Sequence, residues 1–167
     1  MDRASEADAG EGGTGAPPPT NESNKLPPGV TREYARPDIR VHWYASRCIH
    51  SAACVRALPG VFNPQRRPWI DITQGTADEI AAAVERCPTG ALKYERADGR
   101  AEQTPDIVQI TPVRNGPYFV RGPVQMPDAA TGELRNETRL ALCRCGQSKH
   151  MPLCDNTHRE IGFRSTD

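Results

Sequence analysis

Residues 143–158 read CRCGQSKHMPLCDNTH, three thiols and one imidazole within a single short stretch. Cys143, Cys145, Cys154 and His158 combine soft sulfur donors with one nitrogen, a set suited to an iron-sulfur cluster or to zinc. A disulfide fits badly, because thiols one residue apart seldom reach bridging geometry. Zinc knuckles space their cysteines two to four residues apart, and the lone Arg144 between Cys143 and Cys145 departs from that habit.

The chain reaches this stretch through strand-like segments. Ile107 to Ile110 and Tyr118 to Val120 are joined by Asn115-Gly116, a hairpin signal. Val124 and Arg135 to Leu142 flank an expected second tip at Ala129 to Gly132, and the last strand delivers Cys143. Beyond the thiols, Asp155 can cap a short helix that carries Cys154 and His158, four residues apart, toward one side.

These residues resemble the CDGSH iron-sulfur domains, whose pattern is C-x-C-x2-S/T-x3-P-x-C-D-G-x-H. Cys143, Cys145, Ser148, Pro152, Cys154, Asp155 and His158 stand where that pattern requires them, and Asn156 replaces its glycine. Asparagine is the next most tolerant residue where φ must be positive. The resemblance covers residues 105–167. It implies a [2Fe-2S] cluster held by Cys143, Cys145, Cys154 and His158. A neutral imidazole in place of a thiolate raises a cluster's potential and couples it to pH, which makes His158 the expected tuning residue.

The other cysteines lie upstream, across a gap of 55 residues without any. CIHSAAC at 48–54 is followed by CPTGAL at 87–92. Alternating Ile39, Val41 and Trp43 read as a strand entering Cys48, with a short helix at Ala52 to Leu58 before Pro59-Gly60. A brief strand is expected around Trp69 to Ile72. Thr76 to Glu79 form a capping box for a helix whose Ile80, Val84 and Cys87 share a face and which Pro88 ends. Ala91 to Glu95 read as a return strand.

Over residues 38–97 this arrangement resembles single-cluster bacterial-type ferredoxins, and the divergent single-cluster domains often found beside a CDGSH segment. Ser51 stands where a four-cysteine site would place its second thiol. The resemblance implies a [3Fe-4S] cluster on Cys48, Cys54 and Cys87, or a [4Fe-4S] cluster if Ser51, water or another group ligates the fourth iron. Zinc, no metal, and ordinary buried cysteines remain alternatives. His42, His50 and His150 read as surface or packing residues.

The expected fold class is α+β: a disordered tail at 1–36, a ferredoxin-like module of two helices on a small sheet at 38–97, and a β-rich CDGSH-type module at 105–167. Of the 167 residues 37% are hydrophobic, with three Phe and two Trp, so neither module can bury a large apolar core. The 21 basic and 21 acidic residues balance. That balance offers no electrostatic case for nucleic acid or an anionic membrane. With neither a secretory signal nor an apolar span, the expected location is the cytoplasm, where six cysteines suit metal or redox chemistry better than disulfides. No nucleotide loop, catalytic triad or paired carboxylates stand out, so the chain reads as no enzyme. The expected role is electron transfer between redox partner proteins, with redox sensing, cluster transfer or a zinc-stabilised interaction module as alternatives.

Overall fold

The computed structural model describes residues 29–128 and 131–166. Most of the expected tail, and part of the expected turn at 129–132, lie outside the described residues. The architecture is α+β, two antiparallel three-stranded sheets with few helices. Among the described residues no helix is long and apolar enough to cross a membrane.

The first sheet has the order β1 (Arg32–Arg36), β2 (Ile39–Trp43), β3 (Leu92–Arg96). Its central strand buries Ile39 and Val41 and pairs Val41 with Tyr94. Strand β1 corrects the tail expectation for residues 32–36. Arg36 donates to the carbonyls of Ile72 and Gly75 and pairs with Asp38, so polar anchoring orders a segment whose apolar content is low.

Of the two helices in this half, α2 (Ala77–Glu85) packs on β3, and α1 (Ala53–Ala57) packs against α2. The capping box forms as expected: Thr76 Oγ1 accepts the Glu79 N–H at 3.3 Å, and Glu79 Oε2 accepts the Thr76 N–H at 2.8 Å. Ile80, Val84 and Cys87 join one buried cluster with Val61, Phe62, Ile70 and Leu92. The expected strand at Trp69 to Ile72 is instead one bridge, Phe62 to Ile70, followed by a 3-10 turn at Ile72–Gln74. Asp71 accepts the Thr73 N–H there and turns the chain before a ladder can grow.

The second sheet has the order β4 (Gln109–Pro112), β5 (Tyr118–Pro127), β6 (Leu134–Leu142). Asn115, at φ 55°, makes the expected tight turn. The β5–β6 register shifts between Arg121 and Val124, at Gly122-Pro123, where a proline would otherwise interrupt the ladder. A short helix, α3 (Thr157–Glu160), closes the chain.

The sheets meet through polar groups. Arg139 of β6 is 2% exposed. Its guanidinium donates to the carbonyls of Val84 and Cys87, each at 2.6 Å, and of Leu92 at 3.0 Å, and pairs with Glu102 at 2.6 Å. Val84 lies in the last turn of α2 and Cys87 just past its cap, so one half of the chain adds donors at the end of a helix of the other. Alongside, Arg47 forms a two-pronged pair with Glu137 at 2.9 and 3.0 Å, which Lys93 joins at 2.9 Å. Gly90, at φ 64°, lies under this seam; a Cβ there would sit 2.7 Å from the Arg139 carbonyl oxygen.

Removing one partner of such a buried pair strands the other. Arg139→Ala is expected to cost about 3–5 kcal/mol in chemical denaturation, and Arg139→Lys should recover little because an ammonium lacks the planar fork. A loss below about 1 kcal/mol would show that the seam is not structural.

Candidate metal centres

Cys48 leaves a 3-10 turn at Ala45–Arg47 and enters a loop bent by left-handed backbone at His50 (φ 53°) and Ala52 (φ 56°). Non-glycine residues rarely adopt that conformation, and here it returns the chain so that Cys54, in the first turn of α1, lies near Cys48. Cys87 arrives from just past α2. Cys48, Ser51, Cys54 and Cys87 line one enclosed apolar cavity, roofed by Trp43, Trp69 and Leu92. The fold thus brings Cys48, Cys54 and Cys87 to the lining of one cavity, which Ser51 shares. The indole nitrogens of Trp43 and Trp69 are buried without a hydrogen-bond partner among the described residues. Buried N–H donors need acceptors, and the sulfur atoms of a cluster would supply them, so the cavity's chemistry fits such a group.

At the second site three thiols and one imidazole stand as two pairs. Cys143 Sγ lies 3.7 Å from Cys145 Sγ, and Cys154 Sγ lies 3.4 Å from His158 Nδ1. A backbone bridge of Leu142 with Leu153 brings the pairs together, with the Cys143 N–H donating to Pro152 and the Cys154 N–H to Ala141, both at 2.8 Å. Ser148 tightens the intervening loop by donating to the Leu153 carbonyl at 2.6 Å. Among the described residues no three His, Cys, Asp or Glu side chains gather closely enough for a single ion. Two separate pairs are the arrangement a two-iron cluster needs, with two protein donors for each metal.

Asp155 caps α3 as expected, accepting the N–H of its first residue, Thr157, at 3.0 Å, and it also accepts the Lys149 N–H at 2.9 Å; Asn156, in the cap position itself, makes no side-chain cap bond. Asp155 straps the loop to the helix and is held well below the usual carboxylate range by these bonds.

Proton affinities differ between the sites. Burial, reinforced by neighbouring Cys87, pushes Cys54 up to about 11, and burial also raises Cys48 and Cys154. Burial acts the same way on Cys143, but backbone N–H groups of Ser148, Gly146 and Cys145, with the Cys145 thiol, outweigh it and lower that group. Burial and the Arg159 charge lower His158 from its ordinary 6.5, against a smaller opposing effect of Asp155, which favours the neutral imidazole that binds metal.

Three participants carry no signal of their own type in the sequence: Arg139 beside Cys87, Trp69 over the first cavity, and Ile49 between the sites. Asn156 does carry one, as the residue that departs from the CDGSH pattern. In the metal-free protein, iodoacetamide should modify Cys143 well before Cys54, whose thiolate fraction at pH 7 is about one in ten thousand. Peptide mass spectrometry over time checks the order, and faster labelling of Cys54 would contradict it.

Comparison with known proteins agrees with this geometry. Residues 34–97 match the family described as "Divergent 4Fe-4S mono-cluster". Residues 115–159 match "Iron-binding zinc finger CDGSH type". The protein named "Uncharacterized protein YjdI", from Escherichia coli strain K12 and from O157:H7, is 36% identical over 66 residues, which cover 40% of this chain and 87% of that protein. The chain belongs to the divergent 4Fe-4S mono-cluster family and carries a CDGSH-type iron-binding segment after that domain.

Proposed function

We propose that the protein carries two iron-sulfur clusters and moves electrons between redox partner proteins in the cytoplasm, without a substrate of its own. The observation that supports this most is the separate gathering of two sulfur-rich donor sets, one in an enclosed cavity and one in two pairs, by a single docked fold. On this reading the first half is a ferredoxin-like module. Cys48, Cys54 and Cys87 hold a [3Fe-4S] cluster, or a [4Fe-4S] cluster with Ser51 or solvent on the fourth iron. Cys143 and Cys145 hold one iron of a [2Fe-2S] cluster, and Cys154 and His158 the other.

Such clusters supply reversible one-electron chemistry when bound. Trp43 and Trp69 flank the first, and the loop over the second presents exposed Gly146, Gln147 and Lys149. That exposure also favours a second reading, redox sensing or cluster transfer from the second site. Hand-over of iron and sulfide to a metal-free acceptor, with the first cluster retained, would select it.

Iron, zinc and acid-labile sulfide analysis of anaerobically purified protein, with EPR of oxidised and dithionite-reduced forms, tests the main reading. Iron and sulfide filling both sites support it, and zinc without sulfide overturns it. His158→Cys adds a thiolate charge and should lower the second cluster's potential by on the order of 100 mV or more, judged from the histidine-ligated centres.

The pH dependence has a definite sign. Because His158 titrates below 6.5 when folded, its contribution to stability is present above that value and declines as pH falls through the lowered one. Cluster bleaching on acidification should follow, and His158→Cys should move it to lower pH. An unchanged potential and bleaching profile would remove His158 from the ligand set.

A further inference from the structure

Asn156 stands where the related pattern has glycine. Its backbone is left-handed, with φ 81° and ψ −2°, so the position still requires what glycine offers. Asparagine keeps that conformation and adds a side chain that crosses to the other half of the chain. Its Nδ2 donates to the Ile49 carbonyl at 2.8 Å, while its backbone N–H donates to Cys154 Sγ at 3.5 Å.

Ile49 follows Cys48 directly. It is 5% exposed and packs in one buried cluster with Cys154 and Ala141. One residue therefore touches a donor of the second site and the neighbour of a donor of the first. The amide orientation is chemically required, since reversing it would oppose two oxygens.

We infer that Asn156 bridges the two cluster sites, making Cys48, Ile49, Asn156 and Cys154 the direct route for an electron passing between them. This rests on the two-cluster reading above. The step moves one electron: the cluster at Cys48, Cys54 and Cys87 is oxidised by one, and that at Cys143, Cys145, Cys154 and His158 is reduced by one. No covalent bond forms or breaks, and no proton need move.

The electron runs in this direction when the second site has the higher potential, and its imidazole ligand acts toward that. A one-electron donor, a reduced flavoprotein or another iron-sulfur protein, refills the first site. Asn156 is a positioning residue here, acting through Ile49 and Cys154.

The test uses the full chain with both sites loaded, compared with Asn156→Gly. This variant keeps the left-handed backbone and the N–H donated to Cys154, and deletes only the crossing. Transfer between sites is followed after photoreduction by a flash-excited deazaflavin, and their separation is measured by pulsed EPR relaxation enhancement. The expected result is unchanged iron, sulfide and separation, with several-fold slower transfer.

Equal rates in the two proteins would overturn the route. Slower transfer accompanied by a longer separation would also overturn it, leaving Asn156 a mechanical clamp. Wild-type protein lacking iron and sulfide at either site would instead bring down the two-cluster reading, and the relay with it.

Discussion

A guanidinium buried to 2% exposure has few stable surroundings, and Arg139 occupies one of them. An isolated charge in that position would be driven out or cost several kcal/mol, so each of its neighbours is constrained in turn. The α2 end must present the carbonyls of Val84 and Cys87, the connecting segment must bring Glu102 back, and residue 90 must lack a Cβ. The same residue that docks the halves thus shapes the helix end from which Cys87 enters its cavity. Arg47, Glu137 and Lys93 continue the seam along one edge.

Docking matters because the second half has little interior of its own. The first half buries a continuous cluster from Ile39 to Leu92, whereas β4 is exposed along its length and the cluster around Cys154 includes Ile49 from the first half. A domain this thin gains stability from metal ligation and from its neighbour. Folding, docking and ligand placement are therefore linked. Burial favours the protonated form of thiols such as Cys54, so any metal bound there would have to displace that proton.

Local patterns are legible in the sequence. The alternation at Ile39, Val41 and Trp43, the Thr76–Glu79 box and the Asn115 turn each depend on neighbours within a few residues, and each formed. Segments whose order comes from distant partners were not legible. Residues 32–36 look like tail until Arg36 finds the carbonyls of Ile72 and Gly75. Trp69 to Ile72 has strand composition, yet Asp71 bends it after one bridge. Asp155 caps α3 through Thr157 as its type suggests, but only the folded loop places Lys149 within its reach as well.

The sequence by itself determined the donor chemistry, since the identity and spacing of six cysteines and His158 restrict what each site can bind, and it determined the helices and turns that aim those side chains. Only the tertiary structure decided how the two sites stand toward one another. That relation depends on single hydrogen bonds between residues far apart in the chain, Arg139 to Cys87 and Asn156 to Ile49. Arginine and asparagine have no periodicity or spacing that names a partner; burial alone, by removing water as the competing partner, makes each of those contacts specific.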